Sequence, residues 1–159
     1  MQKRPNIVEI IGAPCDLGCN QRGANVGPAM VRVAGLADRL EELSIRAFDG
    51  GDVPVPLRER LGRQTPENRD LYVSTIGQIC DELFARVQAS LRAGRFPLTL
   101  GGDHSIAIGS IKGAADYCYQ QGGQLGLLWV DAHADMNTPA TSLSGNIHGM
   151  PLSTVLGLG

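Results

Sequence analysis

Several features typical of other classes of protein are missing from this chain of 159 residues. No stretch is apolar enough and long enough to span a membrane, which takes about 20 consecutive apolar residues. Basic residues do not predominate, because 14 Lys and Arg stand against 16 Asp and Glu, for a formal net charge of -2, and no basic stripe runs along the chain. The sequence therefore predicts neither a membrane nor a nucleic acid as a partner.

Signals for export and for structural zinc are missing as well. The N terminus is basic at Lys3 and Arg4, but a short strand-like run follows at 7–11, where a signal peptide would have a longer apolar region and a small-residue cleavage site. The four cysteines form no Cys-x-x-Cys pair and have no neighbouring His: Cys15, Cys19, Cys80 and Cys118. We therefore expect reduced thiols and a cytoplasmic protein.

Apolar runs alternate along the chain with segments of helical periodicity. Strands are predicted at 7–11, 45–48, 96–100 and 125–130. Helices are predicted at 71–93, at 106–120 and from Pro28 onward, the last burying Val33, Ala37 and Leu40. Residues 53–70 hold several charges and three prolines and predict a long loop. The alternation indicates one α/β domain with three αβα layers and a mainly parallel sheet.

Three potential metal ligands follow the last of these apolar runs. Asp131, His133 and Asp135 stand at positions i, i+2 and i+4. In an extended chain such residues project from one side and can converge on one ion. Two carboxylates and an imidazole suit a divalent metal of intermediate hardness, such as Mn, Co, Fe or Zn. The alternative is a strand end at the surface with its charges facing water.

A second polar motif follows the strand predicted at 96–100. Gly101 and Gly102 allow a tight turn or a close backbone approach, and His104 comes directly after Asp103. Either Asp103 or Ser105 could cap the helix that begins near residue 106. In open α/β sheets, ligands gather where strands leave the sheet at their carboxyl ends. His104 is therefore a further candidate ligand.

The third histidine, His148, lies in the small polar loop 142–149. A single His is more often structural than functional. The chain has only three, however, and all fall between residues 104 and 148 beside glycines or carboxylates. This clustering favours one functional site over three unrelated positions.

Together these motifs resemble the arginase branch of the ureohydrolase family. The resemblance rests on Gly-Gly-Asp-His-Ser at 101–105, Asp-Ala-His-Ala-Asp at 131–135, Asn-Thr-Pro at 137–139 and Ser-Gly-Asn-Ile-His-Gly at 144–149. Segments near the N terminus agree: 11–14, 16–18, 22–23, 27–28 and 49–53. The motif at 131–135 is shared with agmatinases and other ureohydrolases. The motifs at 137–139 and 144–149 are more specific, because they resemble the arginase loop that contacts the amino-acid end of the substrate.

The resemblance implies a manganese-dependent hydrolysis of L-arginine to L-ornithine and urea. In arginases a hydroxide that bridges two Mn²⁺ ions attacks the guanidinium carbon. Carried over by motif position, His104 and Asp135 bind one ion, His133 binds the other, and Asp131 bridges them. His148 is the implied proton shuttle, and Asp135 is counted among the catalytic residues as well as the ligands.

The resemblance also implies a binding site for the substrate's α-carboxylate. Asn137 and Ser144 are its main candidates, with Ser142 and Asn146 as weaker ones. The substrate is then a small guanidino compound, and the complete enzyme is expected to be a homo-oligomer.

A family motif with further metal carboxylates, Asp-x-Asp-x-x-Asp-Pro, does not occur within residues 1–159. We therefore expect residues 1–159 to be the N-terminal portion of a single ureohydrolase domain, with an incomplete sheet and little activity alone. In the family's sheet, strands from the other half separate the two strands that carry the metal motifs, so unpaired edges are expected here. Other hypotheses are an agmatinase-like ureohydrolase, an iron oxygenase with two His and one carboxylate, and a non-catalytic fragment.

Overall fold

The computed structural model describes residues 7–68 and 70–158. Its sheet has three parallel strands, β1 (Ile7–Ala13), β2 (Arg46–Asp52) and β3 (Phe96–Gly101). β1 lies in the middle, in the order β2-β1-β3. Ile10 pairs with Asp49 on one side and with Leu98 on the other. The predictions of strands at 7–11, 45–48 and 96–100 are confirmed, each with a somewhat longer strand.

Helices cover both faces of the sheet. They are α1 (Gly27–Val33), α2 (Leu36–Glu42), α3 (Arg58–Leu61), α4 (Val73–Arg92), α5 (Ala107–Gln120) and α6 (Pro151–Val155). On one face, Ile11 joins the buried cluster that also contains Leu83 of α4. On the other face, a Cβ added to Gly12 would lie 3.0 Å from Nη1 of Arg32 in α1. Because successive strand residues point to opposite faces, α1 and α4 lie on opposite sides, and the three-layer α/β fold is confirmed.

Helix α4 provides most of the helical part of the core. Its buried apolar residues Ile76, Ile79, Leu83 and Val87 recur at spacings of three and four, as the sequence predicts. α5 packs closely against it, since a Cβ on Gly109 would lie only 2.3 Å from the carbonyl oxygen of Cys80. Glycine therefore permits a backbone contact that any side chain would prevent.

Two predictions about the first half need correction. The helix begun by Pro28 does not run through residue 40, because Gly35 has a φ of +85° and separates α1 from α2. Its predicted buried stripe is wrong as well, since Val33 is 80% exposed. The predicted loop 53–70 contains α3 and a short 3-10 turn, Pro66–Asn68. Arg58 fixes this segment by donating a hydrogen bond to the carbonyl oxygen of Cys19, at 2.7 Å.

The strand predicted at 125–130 is also wrong for the described part of the chain. These residues lie in no strand and pair with none of β1, β2 and β3. Leu128 and Val130 are 86% and 87% exposed. An apolar run takes up strand structure only beside a neighbour that accepts its backbone hydrogen bonds. None of the described helices combines the length and the apolar character that crossing a bilayer requires.

Candidate metal centre

The first candidate ligand follows β3 directly. The chain turns at Gly102 and enters a 3-10 turn, His104–Ile106, which Asp103 caps by accepting a hydrogen bond from the backbone N–H of Ser105, at 2.9 Å. Of the two capping candidates from the sequence, Asp103 caps this turn, whereas α5 itself, which begins at Ala107, has no side-chain cap. The cap holds His104 at the carboxyl end of the sheet.

Three of the four predicted metal ligands converge on one point. Nδ1 of His104 lies 3.0 Å from Oδ2 of Asp131 and 2.8 Å from Oδ2 of Asp135. The ligand atoms of these three residues all lie within 4.8 Å of one another. An imidazole and two carboxylates at this spacing are a donor set for a divalent cation.

Asp135 gives an independent indication of a cation. Its side chain is buried, yet Oδ2 has no hydrogen-bond partner, since the nearby imidazole of His104 is close without being aligned to donate. A buried carboxylate oxygen without a donor is costly unless a positive charge compensates it. The backbone of Asp135 also has a φ of +49°, which Asp tolerates better than most residues. The residues present therefore fit a bound metal ion.

Asp131 faces a different histidine with each of its oxygens. Oδ2 faces His104, whereas Oδ1 lies 3.3 Å from Nδ1 of His133 and accepts a hydrogen bond from the backbone N–H of His133, at 2.7 Å. That backbone hydrogen bond, followed by the charge of His104, holds the pKa of Asp131 below its usual value. His133 lies outside the cluster of three and its side chain is 83% exposed. The structure thus brings His133 beside Asp131 but not to the point where the other three meet.

All of the predicted site residues line a single open cleft of about 860 Å³. They are His104, Asp131, His133, Asp135, Asn137, Ser142, Ser144, Asn146 and His148. Residues separated by up to 44 positions in the sequence thus share one cavity. A cleft lined by several titratable and hydroxyl-bearing side chains suits a small polar ligand.

Two hydroxyl-bearing residues of the loop 142–149, Ser142 and Ser144, also line this cleft. Oγ of Ser142 accepts a hydrogen bond from the backbone N–H of Gly145, at 3.0 Å, and Oγ of Ser144 accepts one from that of Asn146, at 3.2 Å. Each hydroxyl that accepts in this way keeps its own proton for donation. These hydroxyl groups are therefore suited to bind a ligand carboxylate, which accepts hydrogen bonds and donates none.

Two contacts in the site were not predicted from the sequence. The ring of Trp129 stacks at a tilt on that of His104, with 4.7 Å between the ring centroids. Gly18, from the loop after β1, accepts a hydrogen bond from the backbone N–H of His148, at 3.0 Å. The motif at 16–18 signalled some role for this loop, but no local pattern indicates a contact across 130 residues of sequence.

Known proteins resemble the chain over nearly its whole length. The family model described as "Arginase family" matches residues 6–158. The arginase of Bacillus caldovelox is 47% identical over 152 residues, which are 96% of this chain and 49% of that protein. Its solved structure superposes with a TM-score of 0.84 at 46% identity, covering 94% of this chain and 48% of that one. The chain thus spans about half the length of the curated relatives it matches.

A more distant relative has the same fold. An arginase from Entamoeba histolytica, solved in complex with L-ornithine, superposes with a TM-score of 0.86 at 29% identity, over 99% of this chain and 52% of that one. The motifs around the metal centre, the fold that positions them and the match over residues 6–158 agree, and the chain belongs to the arginase family.

Proposed function

We propose that this chain provides the metal-binding and substrate-recognition loops of a manganese-dependent hydrolase that converts L-arginine to L-ornithine and urea. One observation carries the proposal: His104, Asp131 and Asp135 converge on one point in a cleft that all the remaining predicted site residues also line. Membership of the arginase family supports this choice of reaction.

The metal ligands divide into two groups in this proposal. His104 and Asp135 hold one ion, His133 contributes to a second, and Asp131, whose oxygens face His104 and His133, serves both. Carboxylate oxygens suit Mn²⁺, and membership of the arginase family supports this choice of metal. When bound, the metal pair lowers the pKa of a water molecule and so supplies a nucleophile at neutral pH.

The remaining residues orient the substrate and move protons. His148 lines the cleft and is held through its backbone N–H by Gly18; it transfers a proton between solvent and the reacting groups, a role that suits an imidazole near neutral pH. Ser144 and Asn137 bind the α-carboxylate of arginine, assisted by Ser142 and Asn146. Asp135, whose side chain is buried, is assigned to catalysis as well as to metal binding.

We further propose that the chain by itself is a poor catalyst and that the active enzyme is a homo-oligomer acting in the cytoplasm. Among the described residues, four side chains are assigned to two ions, and His133 is largely exposed. An ion held by so few ligands exchanges readily, and a displacement of about 1 Å can cost about 100-fold in rate.

Metal binding is the first test. In calorimetry with Mn²⁺, the chain should bind the ion, and Asp131→Ala should reduce the affinity by more than the 10- to 100-fold typical of an outer-shell residue, about 100-fold or more. Asp116→Ala, which removes a carboxylate of α5 outside the cleft lining, is the control. Equal Mn²⁺ binding by the chain and by Asp131→Ala would contradict the assignment of the ligands.

Catalysis is tested in a chimera. This chain replaces the matching half of the Bacillus caldovelox arginase, and urea release is measured with L-arginine and with agmatine, which lacks the α-carboxylate. We expect turnover of L-arginine, a strong preference over agmatine, and no release above background from the chain alone with Mn²⁺. A folded, manganese-loaded chimera that prefers agmatine would contradict the proposed substrate.

A further inference from the structure

Gly18 connects the two parts of the site that are furthest apart in the sequence, the turn at His104 and the turn at His148. Its backbone N–H donates a hydrogen bond to Oδ2 of Asp103, at 2.8 Å, and its carbonyl oxygen accepts one from the backbone N–H of His148, at 3.0 Å. Asp103 directly precedes His104, the candidate metal ligand. One residue thus joins the turn that carries the ligand to the turn that carries the candidate proton shuttle.

Asp103 uses both of its carboxylate oxygens in this connection. Oδ1 accepts hydrogen bonds from the backbone N–H and the hydroxyl of Ser105, at 2.9 and 2.5 Å, while Oδ2 accepts the one from Gly18. The residue is only 6% exposed, and its own backbone N–H donates to the carbonyl oxygen of Cys15, at 2.7 Å. Hydrogen bonds to a buried charged acceptor are among the stronger ones in proteins. The orientation of this carboxylate is therefore fixed on two sides.

The loop that contains Gly18 has no room to move toward the ligand turn. A Cβ on Gly18 would lie 2.7 Å from Oδ1 of Asp103 and 2.9 Å from Oγ of Ser105. On its outer side the loop is held by the guanidinium of Arg58, which donates to the carbonyl oxygens of Asp16 and Cys19. A displacement of Asp103 must therefore be transmitted to Gly18, and from Gly18 to the backbone of His148.

From these contacts we infer that Asp103 is a positioning residue, which sets the place of His148 relative to His104 through the backbone of Gly18. Its carboxylate has two separable tasks. The hydrogen bond to the N–H of Ser105 caps the turn that begins at His104, and the hydrogen bond from Gly18 couples that turn to His148. The coupling is a statement about the protein alone, whereas its value for catalysis rests on the proposed function of His148.

Two substitutions separate the tasks. Asp103→Ser keeps an oxygen that can cap the turn but has none that reaches Gly18, and Asp103→Ala removes both hydrogen bonds. The readout is hydrogen–deuterium exchange of single amides by NMR in the metal-free chain of 159 residues. In both variants the His148 amide should exchange about 10-fold faster or more, since its acceptor loses a charge-assisted anchor. Only Asp103→Ala should also accelerate exchange at Ser105.

The Leu152 amide is the internal control, because it donates to the carbonyl oxygen of Asp135, at 3.1 Å, and not to the Gly18 loop. Its exchange should be unchanged in Asp103→Ser. The ring Cε1–Hε1 signal of His148 should shift in that variant while the signal of His133 keeps its position. Wild-type exchange at His148 in Asp103→Ser, or equal acceleration at His148 and Leu152, would overturn the inference.

A glycine pair tests the same connection from the other side. Gly18→Ala should displace the loop and accelerate exchange at His148, whereas Gly77→Ala, where an added Cβ meets nothing within 4 Å, should leave it unchanged. Unchanged exchange at His148 in a folded Gly18→Ala chain would count against the inference. These exchange measurements need neither metal nor turnover. Their outcome therefore tests the inference about Asp103 independently of the proposed activity.

Discussion

Residues 7–120 and residues 121–158 contribute differently to this molecule. The first region holds all three strands and every fully buried member of the main apolar cluster, while from the second only Ile147 packs against that cluster. The second region holds eight of the nine predicted site residues: His148 lies on a 3-10 turn, and the other seven lie in loops. Stability and chemistry are therefore largely assigned to separate parts of the chain, and a few specific hydrogen bonds connect them.

The largest expected effect is a loss of turnover when the candidate proton shuttle, which lies in the second region, is removed. In the chimera, His148→Asn should lower kcat by about 10²- to 10⁴-fold, the usual loss when a general acid or base is removed. The manganese content, measured by atomic absorption, should stay near that of the parent, because the role proposed for His148 is proton transfer without metal binding. An empty metal site in this variant would show that His148 is a ligand, or that it holds one in place.

A pair of leucines tests the division of stability between the regions. Leu83 in α4 is fully buried, whereas Leu143 in the site loop is 97% exposed. Leu83→Ala should lower the free energy of unfolding by about 2–5 kcal/mol, through lost burial and the cavity left behind. Leu143→Ala should change it by less than about 0.5 kcal/mol. Urea denaturation followed by circular dichroism measures both, and equal losses would refute the division.

Substrate recognition gives a smaller effect. In the chimera, Ser144→Ala should reduce the preference for L-arginine over agmatine by about 10- to 100-fold, the equivalent of one hydrogen bond to a charged group. The rate with agmatine should hardly change, because agmatine lacks the α-carboxylate to which Ser144 is proposed to donate a hydrogen bond. Thr138→Ala, in the same loop but outside the cleft lining, is the control. A parallel loss with both substrates would assign Ser144 to loop structure.

The sequence predicts the two regions with unequal success. Three strands and α4 follow from local periodicity, because the side chains that reveal the pattern are those that pack, such as Ile76 and Leu83. Local pattern fails at Val33, which lies on an exposed helix face, and at residues 125–130, where strand formation depends on a neighbour. In the site, residue types and spacing identify His104 and Asp135 as candidate metal ligands, and the structure brings the two together. The bridge from Gly18 to Asp103 and His148 is a product of tertiary structure and leaves no pattern in the sequence.

The smallest predicted effect concerns an ion pair at the edge of the first region. The guanidinium of Arg32 in α1 donates to both carboxylate oxygens of Asp49 in β2, at 2.7 and 2.9 Å, and so lowers the pKa of Asp49. A carboxyl whose pKa is lower in the folded than in the unfolded state stabilises the fold above the unfolded pKa, about 3.9. That contribution is lost as the pH falls through the folded pKa.

Asp49→Asn should therefore be less stable than the parent chain at pH 6, and the difference should shrink below about pH 4. Because the side chain of Asp49 is 47% exposed, solvent screening limits the difference at pH 6 to less than about 1 kcal/mol. Glu41→Gln, an exposed position in α2, is the matched control, with no comparable change between the two pH values. Urea denaturation at several pH values measures both variants. A stability difference for Asp49→Asn that persists undiminished at pH 3 would mean that the carboxylate acts through its shape and hydrogen bonds, and that its charge does not help to join α1 to the sheet.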